Sequence, residues 1–165
     1  MWATRPQWSL YDEVYRIINE WKPEHRYRGR GCEVHHKYKD DLRSFIEEAL
    51  EKRGLKKITV SKEKDNIDIL VGKEVVVEIK HSKNGKITEN VKKELIQRVV
   101  EWQEKKYEGV IIVLVGKIEK NEEKDIINRV NNIMKKIQPQ PSPYLPMPSQ
   151  TPSFRVDVIN KSWAQ

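Results

Sequence analysis

Residues 110–115, Val-Ile-Ile-Val-Leu-Val, are six apolar side chains in a row. The run is too short to be a free-standing helix and leaves no polar face, so it suits a buried strand. Helical patterns flank it. Upstream, Thr88 can cap a helix over 89–107. Downstream, a helix over 121–137 carries Ile126, Ile127, Val130, Ile133, Met134 and Ile137 as its apolar stripe. A strand reached through a helical crossover lies parallel to the strand before the helix. The chain is therefore expected to be α/β, with a central mixed sheet of about four strands flanked by helices.

The rest of the chain supplies the earlier elements. Ser9 caps a first helix over 9–22, with Tyr11, Val14, Tyr15, Ile18 and Trp21 on one stripe and Pro23 after it. A second helix over 33–53 shows Val34, Tyr38, Leu42, Phe45 and Ala49 on one face and stops at Gly54. The period then becomes strand-like, giving strands over 57–61, 67–71 and 75–80. Residues 1–138 are expected to be one domain with its core over about 33–116. Six of the eight prolines fall between Pro139 and Pro152, so 139–165 is expected to be an extended arm. Within it, alternation around Phe154, Val156 and Val158 suggests a short strand over 154–159 that docks on the body or on a partner subunit.

Charge narrows the function classes. The net charge is +7 at neutral pH, which favours polyanionic partners, nucleic acid above all. The single cysteine, Cys32, excludes an internal disulfide and a thiolate zinc site. The opening residues lack the apolar run of a signal peptide, and no apolar stretch approaches roughly 18 residues. The expectation is a soluble, cytoplasmic protein with no membrane span.

The chemistry lies in 65–80, Asp-Asn-Ile-Asp-Ile-Leu-Val-Gly-Lys-Glu-Val-Val-Val-Glu-Ile-Lys. Acidic residues sit there in otherwise apolar strands, and burying an unpartnered carboxylate is costly. Glu78 and Lys80 are two apart and share a strand face. A loop of Gly72, Lys73 and Glu74 would pair Val71 with Val75 and set Asp68 opposite Glu78, with Ile67, Ile69 and Val71 facing the same core as Val75, Val77 and Ile79. A two-residue Gly72-Lys73 turn would instead pair Asp68 with Val77 and split the site. The apolar pattern fits both. Two carboxylates and the Ile79 carbonyl would form a hard oxygen site suited to Mg²⁺ or Mn²⁺. Lys80 would orient an attacking water or stabilise a charged transition state. The competing reading is a cross-strand ion pair on an exposed sheet face.

This segment resembles the core motif of the PD-(D/E)xK, or restriction-endonuclease-like, superfamily: an acid on one strand, a short hairpin, then Glu-x-Lys, here Asp68, Glu78 and Lys80. Ile67 stands where the motif often has proline. The element order over 33–115 resembles the αβββαβ core of that superfamily. Gly31 to His35 resembles the Gly-x-x-x-His signature of the RecB-like branch, which implies that His35 is a metal ligand; His36 is the adjacent rival. Gln97 matches the branch's helical Gln, but Glu101 stands where its Tyr would be. A first-helix acid is also implied, with Glu33 preferred over Asp40, Asp41, Glu47 and Glu48.

The resemblance implies a Mg²⁺- or Mn²⁺-dependent deoxyribonuclease. Arg26, Arg28, Arg30, Lys37, Lys39, Lys83 and Lys86 flank the site and would contact DNA phosphates almost without regard to sequence. His81, next to Lys80, could touch the scissile phosphate. Cutting both strands needs two centres, so a homodimer is expected. The alternatives are a Holliday-junction resolvase using the same site, and a DNA-binding protein with an inactive one.

Overall fold

The computed structural model describes residues 8–23, 31–64, 66–137 and 154–162. Arg26, Arg28, Arg30 and the proline-rich 139–152 lie outside the described residues. Four helices and five strands follow in the order α1 (Leu10–Glu20), α2 (Gly31–Lys52), β1 (Val60–Lys64), β2 (Ile67–Val71), β3 (Val75–Gly85), α3 (Glu89–Glu104), β4 (Gly109–Ile118), α4 (Lys120–Ile137) and β5 (Arg155–Asn160). The strands form one mixed sheet in the order β1-β2-β3-β4-β5. The pairs β1–β2 and β2–β3 are antiparallel, while β3–β4 and β4–β5 are parallel. The α/β class and the parallel crossover through α3 are as expected, and the sheet gains a fifth strand from the late alternating segment.

Alternation along the central strands divides two apolar layers. Val75, Val77 and Ile79 of β3, with Ile111, Val113 and Val115 of β4, pack against α1 and α2. Val76, Val110, Ile112 and Leu114 pack on the other face against Leu95 and Val99 of α3 and Ile126 and Val130 of α4. Both faces of β4 are covered, which explains its unbroken apolar run.

Three expectations need correction. The first strand covers Val60–Lys64, not 57–61. Residues 55–58 instead make a turn, with the Ile58 N–H donating to the Leu55 carbonyl, and the polar Ser-Lys-Glu-Lys run suits an edge strand. Helix α3 ends at Glu104 rather than 107, because Lys106 takes a left-handed φ of 63° and turns the chain into β4. Ile67 packs in the α3–α4 layer and not with Ile69 and Val71. The β2–β3 register runs from Val71↔Val75 to Ile69↔Val77. Beyond it the Ile79 N–H bonds to the Asp68 side chain, so an acidic side chain takes the place of a ladder bond where the alternation breaks.

Strand β5 is held by α1. The Tyr11 hydroxyl donates to Asp157 Oδ2 at 2.7 Å, with the Val110 carbonyl at 3.2 Å. The Arg155 guanidinium lies 4.5 Å from the Tyr11 ring centroid and pairs with Asp12. Burial, reinforced by Asp157, pushes the Tyr11 phenol far above its ordinary range, so it stays a donor. Gly109 makes the junction fit. A Cβ there would meet the Arg155 carbonyl oxygen and Tyr11 Cε2, each at 2.5 Å. Gly109→Ala should therefore cost about 1–3 kcal/mol and lower the midpoint of thermal unfolding by about 5 °C. An unchanged midpoint would mean that β5 does not pack there.

Candidate active site on the β2–β3 hairpin

The hairpin takes the three-residue loop. Val71 pairs with Val75, and Gly72 adopts a φ of 62° that a side-chain-bearing residue rarely accepts. This odd loop brings Asp68 beside Glu78. The Asp68 N–H donates to Glu78 Oε1 at 3.3 Å, and the Ile79 N–H donates to Asp68 Oδ2 at 2.8 Å. In an extended strand the N–H and C=O of one residue point to the same side. The Ile79 carbonyl is thus on the Asp68 edge of β3 as well.

Each flanking helix addresses one of the two carboxyls. From α2, His35 and Lys39 are four residues apart and share a face. His35 Nε2 donates to Asp68 Oδ1 at 3.1 Å, and Lys39 Nζ lies 3.9 Å from the same oxygen. From α3, Arg98 Nη1 lies 3.4 Å from Glu78 Oε2. Lys80 Nζ is 3.9 Å from that oxygen, on the same strand face. Glu78 is only 1% exposed, whereas the Lys80 side chain is 19% exposed and reaches solvent.

Burial and proximity separate the two acids. Burial pushes the Asp68 carboxyl up, but hydrogen bonds from His35, Glu78 and the Ile79 N–H outweigh it and hold it well below the usual range. Burial, and next the Asp68 charge, push Glu78 up from its ordinary 4.5 to about 8, against the opposing pull of Lys80 and Arg98. The fold thus drives the two carboxyls apart, Asp68 toward its ionised form and Glu78 toward its protonated form.

The other predicted residues divide. His81 packs against Tyr38 with ring centroids 5.5 Å apart and the rings tilted by 39°, and burial lowers its pKa. Gly116 leaves room for it: a Cβ would come within 2.6 Å of His81 Cδ2. Lys37, Lys83 and Lys86 are exposed, as phosphate contacts require. Lys39 is not; at 4% exposure beside Asp68 it belongs to the site and cannot be a surface phosphate contact. Glu33 is exposed at the start of α2. Asp40 is engaged by Lys62, Asp41 accepts from the Trp21 indole at 3.2 Å, and Glu47 pairs with Arg43. Gln97 lies on the exposed side of α3, and the next residue, Arg98, is the one that reaches Glu78.

Among the described residues, no group of three or more His, Cys, Asp or Glu side chains is arranged to hold a metal ion. The donors beside the hairpin are two carboxylates and a main-chain carbonyl. That is a hard oxygen set, suited to a cation that keeps several waters, as Mg²⁺ and Mn²⁺ do.

No family model, curated protein or solved structure matches this chain.

No helix among the described residues is long and apolar enough to cross a membrane.

Sequence reasoning gave Lys39 a different role, that of a DNA contact, and missed Arg98. Lys39 was legible as the residue one turn after His35. Arg98 was hidden by its neighbour Gln97, because a shift of one residue turns a helical side chain by about 100°.

Proposed function

We propose that this chain is a divalent-metal-dependent nuclease that hydrolyses phosphodiester bonds in DNA. Asp68, Glu78 and the Ile79 carbonyl would hold Mg²⁺ or Mn²⁺, and Lys80 would be the catalytic cation. One observation carries the reading: Asp68 and Glu78 meet at the break in the β2–β3 ladder, with Lys80 on the face of Glu78. An ion pair serving stability alone would not favour burying two carboxyls side by side, since the repulsion keeps one protonated.

A divalent cation at this site would lower the pKa of a water and offset charge developing on the phosphate. The chain's own residues supply the rest. His35 and the Ile79 N–H orient Asp68 and keep it ionised. Glu78 would serve as a ligand in its ionised form, its proton passing to solvent. Lys80 can donate to the attacking water or to a phosphate oxygen. Exposed Lys37, Lys83 and Lys86 would hold the flanking backbone. His35 is a further candidate ligand if it turns from Asp68 to the cation. A homodimer would bring two centres to a duplex, and gel filtration at the mass of a single chain, both alone and on duplex DNA, would argue against it.

The test is cleavage of circular duplex, linear duplex, single-stranded and four-way-junction DNA with Mg²⁺ or Mn²⁺. The expected result is metal-dependent cutting that Asp68→Ala abolishes. Selective cutting of the junction would define a resolvase. Salt-sensitive binding without cutting, with any of these metals, would replace the proposal with a DNA-binding role.

A further inference from the structure

The Arg98 guanidinium has more donors than its contacts use. Nη1 donates to the Asn66 carbonyl at 3.1 Å and approaches Glu78 Oε2 at 3.4 Å, and Nη2 donates to Glu94 Oε1 at 2.6 Å. A guanidinium has five N–H donors. The Nε–H and one Nη2–H therefore have no partner among the described residues. The Arg98 side chain is 27% exposed, against 1% for Glu78 beneath it. On the α3 flank of the site, Arg98 and Lys80 are the two cations that both touch Glu78 Oε2 and reach solvent.

Geometry and charge both suit an anion there. Lys39, Lys80 and Arg98 bring three cations to two carboxyl groups, leaving the cluster with a cationic excess. Arg98 is fixed at two points besides Glu78, namely the turn before β2 and the preceding turn of its own helix. Such a fork is pre-organised for a planar, two-oxygen acceptor, and a phosphodiester has two non-bridging oxygens.

We propose that Arg98 is a second phosphate-binding residue of this site, donating its spare N–H groups to a phosphodiester of bound nucleic acid beside Lys80. The inference rests on the nuclease reading and assigns a substrate contact that the Gln97 match did not provide.

The experiment measures binding of a fluorescein-labelled DNA duplex by anisotropy across a salt series, in EDTA so that nothing is cut. Wild type is compared with Arg98→Ala, Arg98→Lys and Arg129→Ala. Arg129 pairs with Glu89 and Asp125 on the α3–α4 surface, so its loss matches the change in net charge away from the site. The expected result for Arg98→Ala is about tenfold weaker binding and a salt slope shallower by about 0.9, the release of one phosphate contact. Arg98→Lys should keep the slope, which also shows that the position tolerates change without unfolding. Arg129→Ala should keep both slope and affinity. Wild-type affinity and slope in Arg98→Ala would overturn the proposal and leave Arg98 as a positioning residue for Glu78, with the nuclease reading intact if wild type still cuts with Mn²⁺. Absence of DNA binding by wild type at every salt concentration would overturn both.

Discussion

Replacing Glu78 with Gln should make the metal-free protein more stable in alkaline buffer while removing the proposed metal-dependent activity. Glu78 is 1% exposed and its pKa is raised in the fold. A carboxyl whose folded pKa lies above its unfolded value favours the fold in its protonated form. Its contribution is fully present below the ordinary 4.5 and is lost as pH rises through about 8. Burial and the groups that face it set that window: burial, then Asp68 across the hairpin, raises the pKa, while Lys80 on its own strand and Arg98 on α3 lower it. Asp68 has the opposite sign, and its contribution is lost as pH falls below the usual carboxylate range. The metal-free wild type should therefore lose stability between about pH 5 and pH 9, by on the order of 2–4 kcal/mol. Glu78→Gln carries no charge to bury and should not show that loss. Thermal unfolding in EDTA at pH 6 and pH 9 reads the difference directly. At pH 9 the variant's midpoint should stand about 5–10 °C above that of wild type. Cutting should fall at least about 100-fold, because an amide is a poorer ligand for a hard cation and leaves its charge uncompensated. A variant less stable than wild type at pH 9 would show that the two acids do not repel each other in the fold.

The second large effect belongs to Lys80. Its Nζ sits 3.9 Å from Glu78 Oε2 on a partly exposed side chain, within reach of a phosphate bound in the proposed site. Lys80→Met keeps the aliphatic stem and removes the charge. Loss of one donor aimed at a developing negative charge costs about 10²–10³ in kcat, so the variant should cut at that fraction of the wild-type rate. It should still bind DNA, with KM changed by much less than kcat. Removing a cation that lowers the Glu78 pKa should also move the pH dependence of residual activity upward. A rise in KM alone, with kcat intact, would make Lys80 a binding residue and not a catalytic one.

Much of this architecture was legible because its signals are local. Val110 to Val115 cannot face water on either side, and helices cover both faces of the sheet there. The loop at Gly72 was one of two that the apolar pattern allowed, and the pairing of Val71 with Val75 shows which the chain takes. The late strand was visible in the alternation of Val156 and Val158 with charged neighbours, although nothing local revealed that Tyr11, far away in sequence, would hold Asp157. What failed to show in the sequence depends on tertiary placement. The polar first strand reads as loop until its edge position is known. Ile67 leaves its expected layer because the Asp68 side chain takes a backbone donor. Lys39 looks like a surface cation until α2 turns it toward Asp68, and α3 presents Arg98 rather than Gln97 to Glu78.

Calorimetric titration of the protein with Mn²⁺ at pH 7 tests most directly whether Asp68 and Glu78 hold a divalent cation. Run in two buffers of different ionisation enthalpy, it should show saturable Mn²⁺ binding with release of nearly one proton, the one held by Glu78, and Asp68→Ala should abolish both. Mn²⁺ binding of equal strength in Asp68→Ala, or no binding by wild type, would contradict the proposed metal site.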